Sequence, residues 1–141
     1  MKLGFKKGHK FYSPLVRAFT TSQWSHAAVR IGDRLYESTA LKGGYHKSGV
    51  RDYPITPEII EQYEWFDCPV DDALALQRYN EIKDCKYDYF SLLSFLLIKV
   101  RDAKRYYCYE QVLYMMLGRV DERATGEVLL TYLARLQKDK D

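Results

Sequence analysis

The chain lacks any apolar run long enough to cross a lipid bilayer. Its longest apolar stretch, residues 92–98 (LLSFLLI), is far shorter than the roughly 20 residues that a membrane-spanning helix needs. The first ten residues, MKLGFKKGHK, carry no apolar segment behind their charges and so do not resemble a secretory leader. We therefore expect a cytoplasmic protein in which the 92–98 run is buried in the fold.

Cysteine is scarce, and its spacing excludes the common metal and disulfide frameworks. Cys68, Cys85 and Cys108 are odd in number and form no CxxC motif or paired Cys/His motif. They are expected to be reduced thiols, as in a cytosolic compartment. The sequence accordingly gives no reason to invoke a metal ion or another cofactor.

A strong charge of one sign is also lacking. The formal net charge is +3, from 22 Lys and Arg against 19 Asp and Glu, which is too small an excess to indicate a nucleic-acid partner. The basic start of the chain is interpreted as a solvated face, formed by Lys2, Lys6, Lys7 and Lys10. Repeats, linkers and low-complexity tracts are missing as well, so residues 1–141 are predicted to form one domain.

What is present is a change of hydrophobic period along the chain. Residues 26–31 and 34–39 alternate on either side of Gly32-Asp33, a pattern typical of a tight β-hairpin. Short strands are also expected at 50–55 and 62–67. Helices are predicted at 11–23, after Asp71-Asp72, at 89–100, at 109–117 before Gly118, and at about 125–137. This order predicts an α+β fold, a small antiparallel sheet packed against helices.

The hairpin register places a histidine near a glutamate. If Gly32-Asp33 is the two-residue loop, His26 and Glu37 lie on one sheet face as diagonal neighbours, roughly 7–8 Å apart at the backbone. Ala28, between them, leaves room for the carboxylate to accept a hydrogen bond from the imidazole. This is the geometry of a catalytic base and the residue that orients it.

Cys108 stands where a reactive thiol is expected. It lies at the junction between a polar stretch and a buried helix in RDAKRYYCYEQVLYMML. The positive end of the helix dipole favours the thiolate form, and the free backbone N–H groups of the first turn can stabilise an oxyanion. Taken singly, His26 could equally be a satisfied structural histidine, and Cys108 a small buried hydrophobe.

The order of these motifs resembles a known family. Ser25-His26 leads into a strand, Glu37 is on the next strand, Gly49-Val50 follows a loop, and Tyr107-Cys108-Tyr109-Glu110 opens a helix. Together with Tyr87-Asp88-Tyr89, this series resembles the circularly permuted NlpC-type papain-like cysteine hydrolases, a group that includes the lecithin retinol acyltransferase-like enzymes. The resemblance covers about residues 10–120, and the helix at 125–137 has no counterpart in it.

The resemblance implies roles for these residues. It implies a cysteine peptidase or amidase in which Cys108, at the N-terminus of a buried helix, is the nucleophile, His26 the general base and Glu37 the residue that orients the imidazole. The substrate is expected to be a peptide, amide or other acyl compound. Substrate contacts are expected around the cleft from Trp24, Tyr36, Gly49, Val50, Tyr107 and Tyr109.

Two alternatives remain open at this stage. The same fold could catalyse lipid acyl transfer or deacylation, with residues 92–98 forming a membrane-facing patch instead of a buried segment. Alternatively, a catalytically inactive domain of this type could bind a partner through a surface rich in the 13 tyrosines.

Overall fold

The computed structural model describes residues 1–6, 23–39, 49–86, 108–120 and 124–139. These residues form five strands and four α-helices, which confirms the α+β class. The strands are β1 (Lys2–Lys6), β2 (His26–Ile31), β3 (Arg34–Thr39), β4 (Gly49–Pro54) and β5 (Glu64–Asp67). The helices are α1 (Pro57–Glu61), α2 (Asp72–Ile82), α3 (Cys108–Leu117) and α4 (Gly126–Lys138).

The strands form one antiparallel sheet in the order β4-β3-β2-β1-β5. At its centre is the hairpin of β2 and β3, with the predicted register: Ile31 pairs with Arg34, and Arg30 pairs with Leu35. Gly32 has a φ of 58°, the left-handed conformation that a tight two-residue turn requires. The hairpin therefore fixes which side chains of β2 and β3 share a face.

Strand β1 is the main departure from the sequence interpretation. It lies inside the sheet, between β2 and β5, and not on a wholly solvated face. Leu3 and Phe5 are fully buried, whereas the side chain of Lys2 remains half exposed. Gly4 faces Trp65, whose ring would lie 2.6 Å from a Cβ at that position. Two apolar side chains between basic residues were too short a pattern to indicate a strand.

The other predicted elements agree with the structure to within one or two residues at most boundaries. The strands expected at 50–55 and 62–67 correspond to β4 and β5. The Asp71 carboxylate accepts the Leu74 N–H and caps α2, and Thr125 caps α4 in the same way. Helix α3 ends before Gly118, which has a φ of 70°. Helix α1, one short turn after Thr56-Pro57, was not predicted.

The two faces of the sheet have different neighbours. On one face, Leu3, Phe5 and Val29 belong to the main core, together with Val112 of α3 and Leu129 of α4. The opposite face carries a smaller apolar cluster, formed by Ala28, Leu35 and Tyr63 with partly buried neighbours that include Trp65. Because side chains alternate along a strand, Glu37 shares this opposite face with Leu35.

Several sequence predictions fall on segments outside the described residues. These are the helix at 11–23, the helix at 89–100 and the apolar run at 92–98. Among the helices that the structure describes, none has the length and apolar character needed to cross a membrane.

Candidate active site

The structure brings His26 and Glu37 into direct contact. His26 is the first residue of β2, and its Nε2 lies 2.7 Å from Oε2 of Glu37 on β3. The His26 side chain is 16% exposed and that of Glu37 is 5% exposed, so water competes little for this hydrogen bond. The contact follows from the hairpin register. Continued by one pair, this register puts Ala28 opposite Glu37, and His26 lies two residues further along β2 on the same face, so the small Ala28 side chain leaves room for the two to meet.

Cys108 contacts the same imidazole from α3. It is buried, at 3% exposure, and its side chain is close enough to the imidazole to raise the pKa of His26 through hydrogen bonding and charge. Because Glu37 occupies Nε2, the ring nitrogen left for the sulfur is Nδ1. Residues 101–107 lie outside the described residues, so the position of Cys108 in the first turn of its helix stays a prediction. The three residues predicted to act together are thus neighbours in space.

Three further residues donate hydrogen bonds to Glu37. Its Oε1 accepts from Arg51 Nη2 at 2.8 Å, from Arg51 Nε at 3.3 Å and from the Tyr53 hydroxyl at 2.9 Å. Its Oε2, already bonded to His26, also lies 3.4 Å from the Tyr63 hydroxyl. Arg51 is the residue directly opposite Glu37 in the β3–β4 ladder, and Tyr53 is two residues further on the same face. Among the described residues, every hydrogen bond to the carboxylate comes from an N–H or O–H donor.

These donors keep Glu37 ionised. Burial on its own raises the pKa of the carboxyl, but the hydrogen bond and charge of His26 and those of Arg51 outweigh burial. The net effect holds the pKa of Glu37 well below its ordinary value of 4.5. Burial and the neighbouring carboxylate raise the pKa values of Tyr53 and Tyr63, so both phenols stay protonated as donors.

The imidazole of His26 is held in its charged form. Burial lowers its pKa, whereas the hydrogen bonds to Cys108 and Glu37, and the charges of those two groups, raise it. The balance raises the pKa of His26 from 6.5 to about 9. At neutral pH a protonated imidazole therefore lies between the sulfur and the carboxylate, an arrangement that can support a thiolate–imidazolium pair.

The residues expected to contact substrate are mostly core residues in the structure. Tyr109 is fully buried and donates its hydroxyl to the Trp24 carbonyl at 2.6 Å, and Trp24 itself is 5% exposed. Tyr36 alternates away from Glu37 onto the helix-packed face, where its ring lies 4.8 Å from that of Tyr79. These three side chains are packed in the core and contact other protein groups.

The remaining expected substrate contacts are also placed by the fold. Gly49 and Val50 are buried at the start of β4, where the Val50 N–H donates to the Cys85 carbonyl at 2.8 Å. Tyr107 lies outside the described residues. Gly49 and Val50 therefore help to position β4, the strand that carries Arg51 and Tyr53.

Sequence reasoning missed Arg51, Tyr53 and Tyr63 as members of the site. Alternation along the predicted strand 50–55 does place residues 51 and 53 on one face. The register of that strand against β3 could not be predicted, because the segment 40–48 that separates the two strands is too long for a short hairpin turn, the kind of turn that fixes a pairing. Tyr63 was assigned to a strand, whereas it precedes β5.

The described residues contain no cluster of three or more His, Cys, Asp or Glu side chains that could hold a metal ion. The described site consists of a thiol, an imidazole and a buried carboxylate with its hydrogen-bond donors. Compared with family models, curated proteins and solved structures, the chain matches none of them.

Proposed function

We propose that the protein is a thiol-dependent hydrolase, a cysteine peptidase or amidase, related to the permuted NlpC-type papain-like enzymes. One observation carries the proposal: the His26 imidazole hydrogen-bonds the buried carboxylate of Glu37 and lies beside the thiol of Cys108, which raises the pKa of the imidazole. These residues come from β2, α3 and β3, so the fold brings together a thiol, an imidazole and a carboxylate, the groups that such an enzyme would use as nucleophile, base and orienting acid.

In the acylation step, the thiolate of Cys108 attacks the carbonyl carbon of an amide and forms a carbon–sulfur bond. The electron pair of the carbonyl moves to oxygen, where backbone N–H groups of the first helical turn, including that of Cys108, stabilise it. The carbonyl re-forms as the carbon–nitrogen bond breaks, and the imidazolium of His26 gives its proton to the leaving amine. A thioester on Cys108 and a neutral imidazole remain.

In the deacylation step, water attacks the thioester while neutral His26 takes a proton from it. The carbon–sulfur bond then breaks, the acid product leaves, and Cys108 departs as the thiolate beside the imidazolium. Glu37 stays ionised throughout, because its hydrogen bonds to Arg51 and Tyr53 do not depend on the charge of the imidazole. Its function is to orient the ring and to stabilise the charged form.

The electrostatics favour a catalytic over a purely structural interpretation. A buried ionic group is weak evidence for stability, because removing charges from water costs several kcal/mol per ion. Here the buried Glu37 is ringed by donors, and the strongly shifted pKa values of His26 and Glu37 occur in groups that contact each other and a thiol. Such clusters of shifted pKa values are typical of active sites.

The proposal is tested by trapping the acyl-enzyme. The protein is mixed with an activated ester of a short acid, quenched in acid and analysed by intact-mass and peptide mass spectrometry. We expect one acyl adduct on Cys108, which disappears in C108A and persists in C68A and C85A. Adduct formation in C108A at the parental rate would overturn the proposal.

A further inference from the structure

We propose that Arg51 is a positioning residue of this site: it fixes the orientation and the charge of Glu37, which in turn orients His26. The inference rests on the proposed function, since positioning has a catalytic meaning only if Cys108 and His26 act together. Among the described hydrogen bonds, those of Arg51 go to Glu37 and not to Cys108 or His26. Its influence would pass through the carboxylate.

The geometry of the contact assigns each carboxylate oxygen to one task. Arg51 directs Nη2 and Nε to Oε1 of Glu37, at 2.8 and 3.3 Å, and Tyr53 donates to the same oxygen at 2.9 Å. Oε2 is thereby turned towards His26, at 2.7 Å. Both N–H groups of Arg51 converge on the single oxygen Oε1, so Arg51 restrains one end of the carboxylate while the His26 contact on Oε2 restrains the other.

Burial makes this contact effective. The side chains of Arg51 and Glu37 are 18% and 5% exposed, so bulk water screens their interaction weakly. The Arg51 guanidinium also lies 5.4 Å from the centre of the Tyr53 ring, a cation–π distance that further restrains it. A fixed positive charge is thus present on the side of Glu37 that faces away from the imidazole.

In the described part of the chain, the polar groups that face Glu37 come from two strands and from the residue before β5. They are His26 of β2, Arg51 and Tyr53 of β4 and Tyr63 before β5, while Cys108 of α3 acts through the imidazole. Within the described residues, each hydrogen bond to the carboxylate comes from a donor, and the ionised carboxylate has about four lone-pair sites and no donor of its own. Removing Arg51 would free part of Oε1 and make protonation of the carboxyl easier.

The sheet supplies a matched control for Arg51. Arg34 and Asp52 form a second arginine–carboxylate pair between β3 and β4, with Arg34 Nε 2.8 Å from Oδ2 of Asp52. This pair joins the same two strands, but alternation places it on the face opposite to Glu37 and Arg51. R34Q therefore removes a cross-strand ion pair between the same strands, although a more exposed one, without touching the carboxylate that contacts His26.

The experiment measures the rate of iodoacetamide labelling at Cys108 against pH in the parent, R51Q, R51K and R34Q. Circular dichroism first shows that each variant is folded at every pH used. We expect R51Q to move the acid limb of the profile to higher pH. A shift of the limb by about one pH unit would lower the labelling rate at about pH 5 by about tenfold. R51K, which keeps the charge but loses the paired N–H contacts on Oε1, is expected to fall between R51Q and the parent, and R34Q to match the parent.

Two results would overturn the inference. One is an R51Q profile that superimposes on the parent; the other is an equal shift in R51Q and R34Q, which would reflect general weakening of the sheet. If R51Q does not fold, R51K decides alone, and a profile identical to the parent counts against the inference. Failure of the proposed function looks different, because the parent itself would then show no labelling of Cys108 at acid pH.

Discussion

At the scale of single residues, the site depends on the chemistry of one buried carboxylate. Glu37 accepts from an imidazole, a guanidinium and two phenols, and each of these groups can only donate to it in the observed state. A glutamine of the same size would turn an amide N–H₂ towards one pair of these donors. Isosteric replacement at this position is therefore not conservative.

We predict that E37Q lowers the free energy of unfolding by about 3 kcal/mol, because it leaves Arg51 partly buried without its counter-charge. It should also lower the pKa of His26, which the Glu37 hydrogen bond and charge help to raise. Urea unfolding and NMR titration of the imidazole measure the two effects. E61Q, at an exposed position on α1, is the control and should change stability by less than about 0.5 kcal/mol.

A second prediction concerns the imidazole itself. The His26 resonance should titrate with a pKa of about 9 in the parent and with a lower pKa in C108A, which lacks the hydrogen bond and charge of the sulfur. H26Q identifies the resonance among those of the three histidines. The same pKa in parent and C108A would show that the sulfur does not interact with the ring.

At the scale of elements, the sequence predicted the hairpin turn and the helix starts, because these depend on residues that are close together in the chain. The Gly32-Asp33 turn fixed the β2–β3 register and hence the meeting of His26 with Glu37. Asp71 and Thr125 marked helix starts because their side chains cap backbone N–H groups. The elements missed or unplaced depend on distant partners: β1 pairs with β2 and β5, and the pairing of β4 with β3 placed Arg51 opposite Glu37.

Strand β4 should be sensitive to its first residue. Gly49 has a φ of 116°, and a Cβ there would lie 2.3 Å from the Cys85 carbonyl oxygen. G49A is expected to lower the free energy of unfolding by about 3 kcal/mol, since both the backbone and the contact are strained. G32A, with a φ of 58° and open space around the site of the Cβ, should cost only about 1 kcal/mol. Urea denaturation of both variants measures the difference, and equal losses would contradict this account of β4.

At the scale of the whole molecule, the site should make the free energy of unfolding fall both at acid and at alkaline pH. The pKa of Glu37 is depressed on folding, so its contribution is complete above 4.5 and is lost as the pH falls below that value. The pKa of His26 is raised from 6.5 to about 9, so its contribution is complete below 6.5 and is lost as the pH rises towards 9.

These two groups therefore predict a maximum of stability between pH 4.5 and 6.5. Urea midpoints measured from acid to alkaline pH should fall on both sides of this window. In H26Q the alkaline decline between 6.5 and 9 should be smaller, since the variant has no imidazole to deprotonate. A decline of unchanged steepness in H26Q would assign the effect to other groups.

At this scale too, the contact between Cys108 and His26 could not be predicted from local sequence patterns, because the two residues are far apart in the chain. Cys108 and His26 meet because α3 packs against the sheet, a long-range contact that no local pattern encodes. The order of the motifs suggested this contact through resemblance to permuted papain-like hydrolases. The central claim is that a thiolate on Cys108 is stabilised by the imidazolium of His26.

The most direct test is the rate of iodoacetamide labelling of Cys108 in the unmodified protein from about pH 5 to pH 10. We predict that labelling is already rapid at about pH 5 to 6 and is slowed in H26Q at the same pH. A rate that instead climbs about tenfold per pH unit up to the ordinary thiol range near about 8.5, alike in the parent and H26Q, would contradict the claim.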